Sequence, residues 1–176
     1  EKMADAKPGE AAFAASGTCL LTQGKSNIFL VTGGAHARVF RSDDRGQLWF
    51  VSATPMTKGT AGSGIFSIAM LDNKKGVIVG GNYEKPNEKG NNLAFTDDGG
   101  KTWKPGKGLN GYRSGVAFIV KNIIIAVGSS GSDISTDGGR TWKNLDKENY
   151  NAAQAKGKEA VWAVGSNGLV AKLNVQ

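Results

Sequence analysis

An eight-residue pattern occurs three times in this chain and constrains its fold more than any other feature. It reads Ser/Thr-x-Asp-x-Gly-x-Thr-Trp at residues 96–103 and 135–142, and residues 42–49 match it except that Leu48 replaces the Thr. Asp and Gly in such a run favour a tight turn, because Gly adopts a positive φ and Asp caps nearby backbone amides. A Trp directly after the turn is an apolar anchor for the next strand. Three copies indicate an internal structural repeat.

A second element recurs at a constant place relative to the octamer. Apolar, largely β-branched runs that end in Gly-Gly or Gly-Ser occupy residues 28–34, 77–81, 124–129 and 161–166. Such runs, bounded by turn residues, are typical of strands. In each unit we expect one strand before the run and another between the run and the octamer. A fourth strand opens at the Trp. Four short antiparallel strands with a period of about forty residues are typical of a propeller blade.

The predicted fold is therefore all-β, a β-propeller of about four blades. The predicted blades span about 13–54, 62–105, 111–146 and 149–176, and residues 1–12 form an N-terminal extension. The last unit has neither an octamer nor a fourth strand, and the charged, turn-prone first ten residues do not resemble a strand that could complete it. We therefore expect that the C-terminus is natural and that N-terminal blades of a larger propeller are missing. The open edges predict that two copies associate.

Composition limits the functional classes. Net charge is +7, but the Lys and Arg residues are dispersed and the densest cluster is Lys74-Lys75, so a nucleic-acid partner is not favoured. Cys19 and His36 are the only residues of their types, which excludes an intramolecular disulfide and a Cys/His zinc set. No apolar stretch is long enough to cross a membrane. The sequence has no cofactor fingerprint, and we expect neither a cofactor nor a metal.

The octamers match the Asp-box, or BNR repeat, of sialidases and related propellers. From about residue 13 to 176 the plan more closely resembles bacterial relatives of the photosystem II stability and assembly factor. That resemblance implies a propeller of seven blades in a secreted or periplasmic protein. It also implies that the box is structural, because its Asp and Ser/Thr bond turn amides and its Trp packs between strands. The residues that would take this structural role are Ser42, Asp44, Gly46, Trp49, Thr96, Asp98, Gly100, Thr102, Trp103, Ser135, Asp137, Gly139, Thr141 and Trp142.

The candidate binding residues lie on the rim opposite the box turns. That rim carries the loops between second and third strands and the links between blades, and unit two has a long polar insertion there, residues 82–92. A long loop on a rigid scaffold is a binding candidate, and a tolerated surface insertion is the equally weighted alternative. The candidate residues of this rim are His36, Arg38, Tyr83, Glu84, Lys85, Glu88, Tyr112 and Arg113.

Two functions remain open at this point. The favoured one is a non-catalytic scaffold or recognition module for a protein or glycan partner, similar to the assembly factors. The alternative is a glycoside hydrolase of sialidase type with part of its active site outside this chain. Arg38 and Arg113 fall short of the three arginines of sialidases. Glu84 and Glu88 could supply a carboxylate pair, but an exposed loop is a poor place for preorganised catalysis.

Overall fold

The computed structural model describes residues 3–175, and almost all regular structure in them is β-strand. Blade 1 contains β2 (Leu20–Gln23), β3 (Asn27–Val31), β5 (Arg38–Ser42) and β6 (Phe50–Ala53). Blade 2 contains β7 (Ser63–Met70), β8 (Gly76–Asn82), β9 (Leu93–Thr96) and β10 (Lys104–Pro105). Blade 3 contains β11 (Gly115–Val120), β12 (Ile123–Gly128), β13 (Gly131–Ser135) and β14 (Lys143–Asp146). Blade 4 contains β15 (Tyr150–Lys156), β16 (Ala160–Gly165) and β17 (Val170–Lys172). The described residues also contain two further strands, β1 (Glu10–Ala11) and β4 (Gly33–Gly34), and two 3-10 turns, Ala14–Ser16 and Ser166–Gly168.

The four sheets are blades of a β-propeller, which confirms the predicted fold class. Within each blade, strands that follow one another in sequence pair in antiparallel register. Blade 4 has three strands among the described residues. A larger ring with further blades stays a prediction, and the predicted last residue of blade 4, Gln176, lies outside the described residues.

The N-terminal extension joins blade 2. Strand β1 pairs with β4, and β4 meets the inner strand β7 at Gly33 and Gly64. A Cβ on Gly33 would lie 2.8 Å from the Gly64 Cα, so this backbone contact requires glycine. Blade 1 was predicted to start at about residue 13, but its first strand begins only at Leu20. Before it the chain makes a 3-10 turn, in which the Ser16 hydroxyl lies 2.7 Å from the Phe13 carbonyl and 2.6 Å from the Phe66 carbonyl.

Adjacent blades are held together by apolar clusters. We call the face of a blade toward the next blade along the chain its front face and the opposite one its back face. Alternate residues of a strand point to opposite faces, so strands of a middle blade are apolar on both sides. Between blades 1 and 2, the front-face residues Phe29, Val31 and Val39 pack with the back-face residues Ile68, Ile78 and Trp103. Between blades 2 and 3, Val77, Val79 and Leu93 pack with Val116, Ala126 and Trp142. Between blades 3 and 4, Ile125 and Val127 pack with Ala153, Val161 and Ala163.

The octamer forms a turn closed by its own side chains. Asp98 Oδ1 accepts from the Thr96 hydroxyl at 2.8 Å and from the Thr102 amide at 2.9 Å, and Asp98 Oδ2 accepts from the Thr102 hydroxyl at 2.6 Å. The Thr96 hydroxyl accepts from the Gly100 amide at 2.8 Å. Partial burial opposes ionisation of Asp98, but the bonds from Thr102 and Thr96 outweigh it and lower its pKa to about 2.

The other two boxes repeat this geometry with one difference. Asp137 has the same set of bonds, led by those from Thr141, and its pKa is also lowered to about 2. Asp44 accepts from the Leu48 amide at 2.9 Å and from the Ser42 hydroxyl at 2.8 Å, and these bonds lower its pKa. Leu48 has no hydroxyl, so the bond that the Thr102 and Thr141 hydroxyls donate to Oδ2 of their Asp is missing here.

We predict that Leu48→Thr lowers the Asp44 pKa further, because the added hydroxyl donates to the ionised carboxylate. NMR titration of the carboxyl carbon measures this pKa, and Leu48→Val is the control, since it has the shape of Thr without the hydroxyl. A carboxyl group whose pKa is lower in the folded protein than in the unfolded chain contributes stability at pH values above its unfolded pKa. This contribution is lost as the pH falls through its folded pKa. The Thr variant should therefore be more stable than the Val variant at neutral pH, and the difference should shrink below pH ~4. Equal Asp44 pKa values in the two variants would contradict this account.

We predict that Trp142→Ala lowers the free energy of unfolding by about 3–5 kcal/mol, because it leaves a cavity between blades 2 and 3. The Trp142 ring is buried in that interface, and its Nε1 donates to the Gly139 carbonyl at 3.0 Å. Urea unfolding measures the loss. Leu145→Ala, at an exposed position of β14, should change stability by less than about 0.5 kcal/mol. Similar losses in the two variants would mean that the Trp does not support the interface.

Candidate binding site at the channel mouth

The two rims of the propeller carry different loops. Because successive strands run in opposite directions, the Asp-box turns lie at the same rim as the turns between first and second strands. The loops between second and third strands lie at the opposite rim with the inter-blade links. We call this opposite rim the upper rim. The inner strands β2, β7, β11 and β15 begin there, on the side of each blade nearest the propeller axis.

A cluster of aromatic rings lies at the upper rim around Phe66. The Phe13 ring stacks on Phe66 with centroids 3.9 Å apart and planes 5° from parallel. Tyr112 and Tyr83 present their rings edge-on to Phe66, with centroid distances of 4.8 Å and 6.2 Å. Tyr112 is buried, which raises the pKa of its hydroxyl well above the usual range. Tyr83 is exposed.

These rings form the wall of a cavity of about 490 Å³, which we call the aromatic pocket. It opens where the inner strands of blades 2, 3 and 4 converge with the N-terminal segment. Its lining residues are Ala12, Phe13, Ala14, Ala15, Ser16, Phe66, Tyr83, Tyr112, Ser114 and Asn151. Within the described part of the chain, this lining contains aromatic, small and neutral polar side chains and neither a carboxylate nor a cation. The pocket can therefore hold an apolar group and hydrogen-bond polar atoms beside it.

Two β-bulges direct side chains into the pocket. The register of β7 with β8 skips Phe66, between Ile65 and Ser67. The register of β15 with β16 skips Asn151, between Tyr150 and Ala152. A bulge gives one strand an extra residue and re-aims its side chain relative to the regular alternation. Both bulged residues line the aromatic pocket, so local irregularity of the inner strands builds the site.

The predicted insertion, residues 82–92, is tied to the link before blade 3. The Pro86 carbonyl accepts from the Tyr112 amide and from the Ser130 hydroxyl, both at 2.9 Å. The Asn92 side chain donates to the Gly111 carbonyl at 2.6 Å. A Cβ on Gly111 would lie 2.1 Å from the Pro86 carbonyl oxygen, so this contact requires glycine. These bonds hold the insertion and the link, which carry Tyr83 and Tyr112, next to Phe66.

Arg113 does not reach the rim as the sequence predicted. Its side chain is fully buried, and its Nη2 lies 2.6 Å from Asp133 Oδ2. Its Nη1 donates to the Tyr112 carbonyl at 2.7 Å and to the Ser130 hydroxyl at 3.0 Å. Burial lowers the pKa of Arg113, and Asp133 opposes that shift. Asp133 also accepts two bonds from Asn110, so the pair fixes the link behind Tyr112.

Arg38 is on the upper rim but is engaged by the N-terminal extension. It forms an ion pair with Glu10 through Nε and Nη2, and Nη2 donates to the Asp5 carbonyl at 3.0 Å. Burial opposes ionisation of Glu10, but the bonds from Arg38, the Lys7 amide and Thr32 outweigh it and lower its pKa to about 2. His36 is half-buried beside β5. Neither residue is among those that line the aromatic pocket.

The remaining candidates lie on the outside of the insertion. Glu84, Lys85 and Glu88 are exposed, and Lys85 pairs with Glu88 at 3.2 Å. Of the eight rim residues named from the sequence, the structure therefore brings Tyr83 and Tyr112 together at one pocket. The two arginines do not converge, because each is paired with a different carboxylate.

Sequence reasoning missed Phe13, Phe66, Ser114 and Asn151. Phe66 left a signal, since Ile65 and Phe66 are adjacent large apolar residues in a strand that otherwise alternates, and such a break indicates a bulge. Phe13 lay at the expected border of the extension. Nothing in the sequence distinguishes Asn151 from an ordinary exposed strand residue.

Another cleft, of about 420 Å³, opens at the Asp-box rim between blades 2 and 3. Its charged lining residues are Lys75, Asp97, Lys104, Lys121, Asp137 and Arg140. Asp97 pairs with Lys104 at 3.2 Å, and Asp137 is bonded within its own turn. No group of three or more metal-ligating side chains occurs in residues 3–175. The same residues contain no helix long and apolar enough to span a membrane.

Comparison with known proteins agrees with this geometry. The model of the BNR/Asp-box repeat matches residues 94–105 and 133–144. The chain carries Asp-box repeats. The two matched segments contain the octamers of blades 2 and 3, and the resemblance predicted from those octamers is confirmed. A search of curated proteins gave no significant match.

Solved structures show the same propeller architecture. YCF48 bound to D1 peptide is 16% identical, with a TM-score of 0.57 over 93% of this chain and 53% of that one. The computationally designed Ika4 protein is 16% identical, with a TM-score of 0.61 over 90% and 91%. The GH74 enzyme of Niastella koreensis is 16% identical, with a TM-score of 0.53 over 83% and 28%. This Asp-box chain thus spans about half the length of the YCF48 chain, and these similarities establish the fold.

We predict that Arg113→Met destabilises this Asp-box propeller by about 3–5 kcal/mol, because it leaves the Asp133 carboxylate buried without its cation. Arg140→Met, at an exposed position, should change stability by less than about 0.5 kcal/mol. Urea unfolding of both variants measures the difference. If Arg113→Met unfolded at the same urea concentration as the wild type, Asp133 would not depend on this pair.

Proposed function

We propose that this propeller is a non-catalytic recognition module that binds a protein partner at the aromatic pocket. The partner contributes an extended segment with an apolar anchor side chain. The single observation that carries this proposal is the pocket itself, whose aromatic wall is built at the channel mouth by a loop, a link and the N-terminal segment.

The exposure of Tyr83 supports a binding role. Tyr83 is 48% exposed while its ring still contacts Phe66, so surface remains available at a position that the loop holds in place. Tyr side chains are frequent anchors of protein interfaces, since they offer a large rigid ring together with a hydrogen-bonding hydroxyl. Ser114 and Asn151 add neutral polar groups that can bond a peptide backbone.

The likeness to YCF48 supports the choice of a protein partner. That protein was solved with a D1 peptide, so a propeller of this architecture binds a peptide in that case. Transfer to this chain is part of the proposal, because an identity of 16% establishes the fold alone. The secreted or periplasmic location implied by the sequence resemblance is likewise a proposal.

A glycan partner and a sialidase-type or other glycoside hydrolase are the competing functions. Aromatic rings also stack on sugars, and the GH74 enzyme shows that the fold can host hydrolysis. The described residues do not favour this alternative at the aromatic pocket. Arg38 and Arg113 are paired with Glu10 and Asp133, and a glycosidase needs two carboxyl groups facing one bond, roughly 5–10 Å apart.

Peptide display tests the proposal. We expect a library of extended random peptides, selected on the immobilised chain, to yield binders with an aromatic or aliphatic anchor. Tyr83→Ala should weaken the selected peptides about 10-fold or more, as expected for loss of an interface anchor. Phe50→Ala is the matched control, because Phe50 is a comparably exposed aromatic residue on the outer strand of blade 1. It should leave the dissociation constant unchanged.

Two results would overturn the proposal. One is selected peptides that bind equally well to wild type and Tyr83→Ala. The other is no peptide binding together with oligosaccharide binding or cleavage, which would favour the glycan or hydrolase alternative.

A further inference from the structure

The cleft of about 420 Å³ at the Asp-box rim, between blades 2 and 3, combines an apolar floor with a cationic edge. Leu71, Phe95 and Phe118 form the floor, and all three side chains are half-buried. Phe95 of blade 2 and Phe118 of blade 3 also pack against the apolar cluster of this interface. Apolar surface therefore stays accessible between the two blades. We call this site the basic cleft.

Cations outnumber carboxylates at the edge of the basic cleft. Its basic lining residues are Lys75, Lys104, Lys121 and Arg140, and its acidic ones are Asp97 and Asp137. Asp97 pairs with Lys104 at 3.2 Å, and Asp137 is bonded within its own turn. Within residues 3–175, the Lys121 ammonium and the Arg140 guanidinium have neither an ion-pair nor a hydrogen-bond partner. These two cations are therefore available to a ligand.

The neighbouring cleft at the same rim, between blades 1 and 2, has neither property. It has a volume of about 470 Å³, and its described lining contains no apolar side chain and as many carboxylates as cations. Phe95 and Arg41 each directly precede the first residue of an Asp-box, so they are equivalent in the repeat. Arg41 forms an ion pair with Asp43 and lies 4.8 Å from the centroid of the Phe50 ring. The blade repeat therefore does not require an accessible aromatic ring at this rim.

We propose that the basic cleft binds an acidic segment of a protein partner. An aromatic or aliphatic side chain of that segment lies against Phe95 and Phe118, and carboxylates on either side of it pair with Lys121 and Arg140. The cationic edge favours an acidic partner, since complementary charges speed association and suppress partners of the wrong sign. The apolar floor contributes what exposed ion pairs alone do not, because such pairs are weak in water.

The basic cleft is separate from the aromatic pocket. The two sites share no lining residue, and they open at opposite rims of the propeller. Segments bound at the two sites would not compete, and a substitution at one site should leave binding at the other unchanged. Binding at the basic cleft is therefore independent of the function proposed for the aromatic pocket.

Amide NMR spectra of the whole chain test the proposal, with the end-blocked peptide Glu-Asp-Phe-Asp-Glu as the probe. We expect the peptide to shift the amide signals of cleft residues such as Asn122, Gly138 and Gly139, and to leave those of Phe66 and Tyr83 in place. The peptide Gln-Asn-Phe-Asn-Gln keeps the ring without the charges, and Glu-Asp-Ser-Asp-Glu keeps the charges without the ring. Each should bind about 10-fold more weakly, because each lacks one of the two contacts.

Charge reversal at the edge of the cleft should weaken the acidic peptide. Lys121→Glu and Arg140→Glu should each raise its dissociation constant about 10-fold or more, because like charges then face each other. Both positions are exposed, so the variants should fold as the wild type does.

Lys25→Glu is the matched control. The Ser26 and Asn122 carbonyls accept from equivalent Asp-box amides, at 2.9 Å and 2.8 Å. Lys25 and Lys121 directly precede these residues, so they occupy equivalent exposed positions at the same rim, in blades 1 and 3. Lys25 does not line the basic cleft, and its reversal should leave the dissociation constant unchanged.

Three results would overturn the proposal. One is the absence of shifts at the cleft with millimolar acidic peptide. Another is an equal loss of binding in Lys25→Glu, which would mean that overall charge attracts the peptide and the cleft does not. The third is a single-stranded oligothymidine that displaces the peptide and binds more weakly to Lys121→Glu and Arg140→Glu, which would indicate a nucleic-acid partner at this rim.

Discussion

The contact between the front face of one blade and the back face of the next is the constraint on which this structure depends. A four-stranded sheet of short strands cannot bury both of its faces alone, and β12 shows why both need cover. Ile125 and Val127 point to blade 4, while Ile124 and Ala126 point to blade 2. Every blade therefore gains much of its stability from its neighbours, as in other repeat architectures where stability is a sum of units and interfaces.

The Asp-box supports this contact from within each blade. Its Asp and Ser/Thr satisfy the turn amides, which frees the Trp to project toward the preceding blade, and the Trp closes the edge of the interface. The first box shows that these two roles are separable. Asp44 keeps its bonds to the turn without the Thr hydroxyl, whereas Trp49, which has no preceding blade among residues 3–175, is only half-buried. The turn is thus a local property, and the burial of the Trp depends on the neighbouring blade.

Much of the fold could be predicted from the sequence, because turns and strands here follow local rules that repeat. The all-β propeller of four blades was expected, although the first strand of unit one starts only at Leu20, after a 3-10 turn in which Ser16 bonds the Phe13 and Phe66 carbonyls. The site was harder to predict. The sequence predicted that Arg113 is a rim residue, but its side chain is buried in an ion pair with Asp133, twenty residues later in the chain. Phe66 reaches the pocket through a bulge, and such departures from alternation depend on contacts between strands that are distant in sequence.

The aromatic pocket depends on the same contact between consecutive blades. It collects residues from blades 2, 3 and 4, so its wall is continuous only where these blades pack against one another. Loss of either interface would separate the residues of the pocket as well as expose apolar surface. The packing that stabilises the propeller therefore also holds the site together.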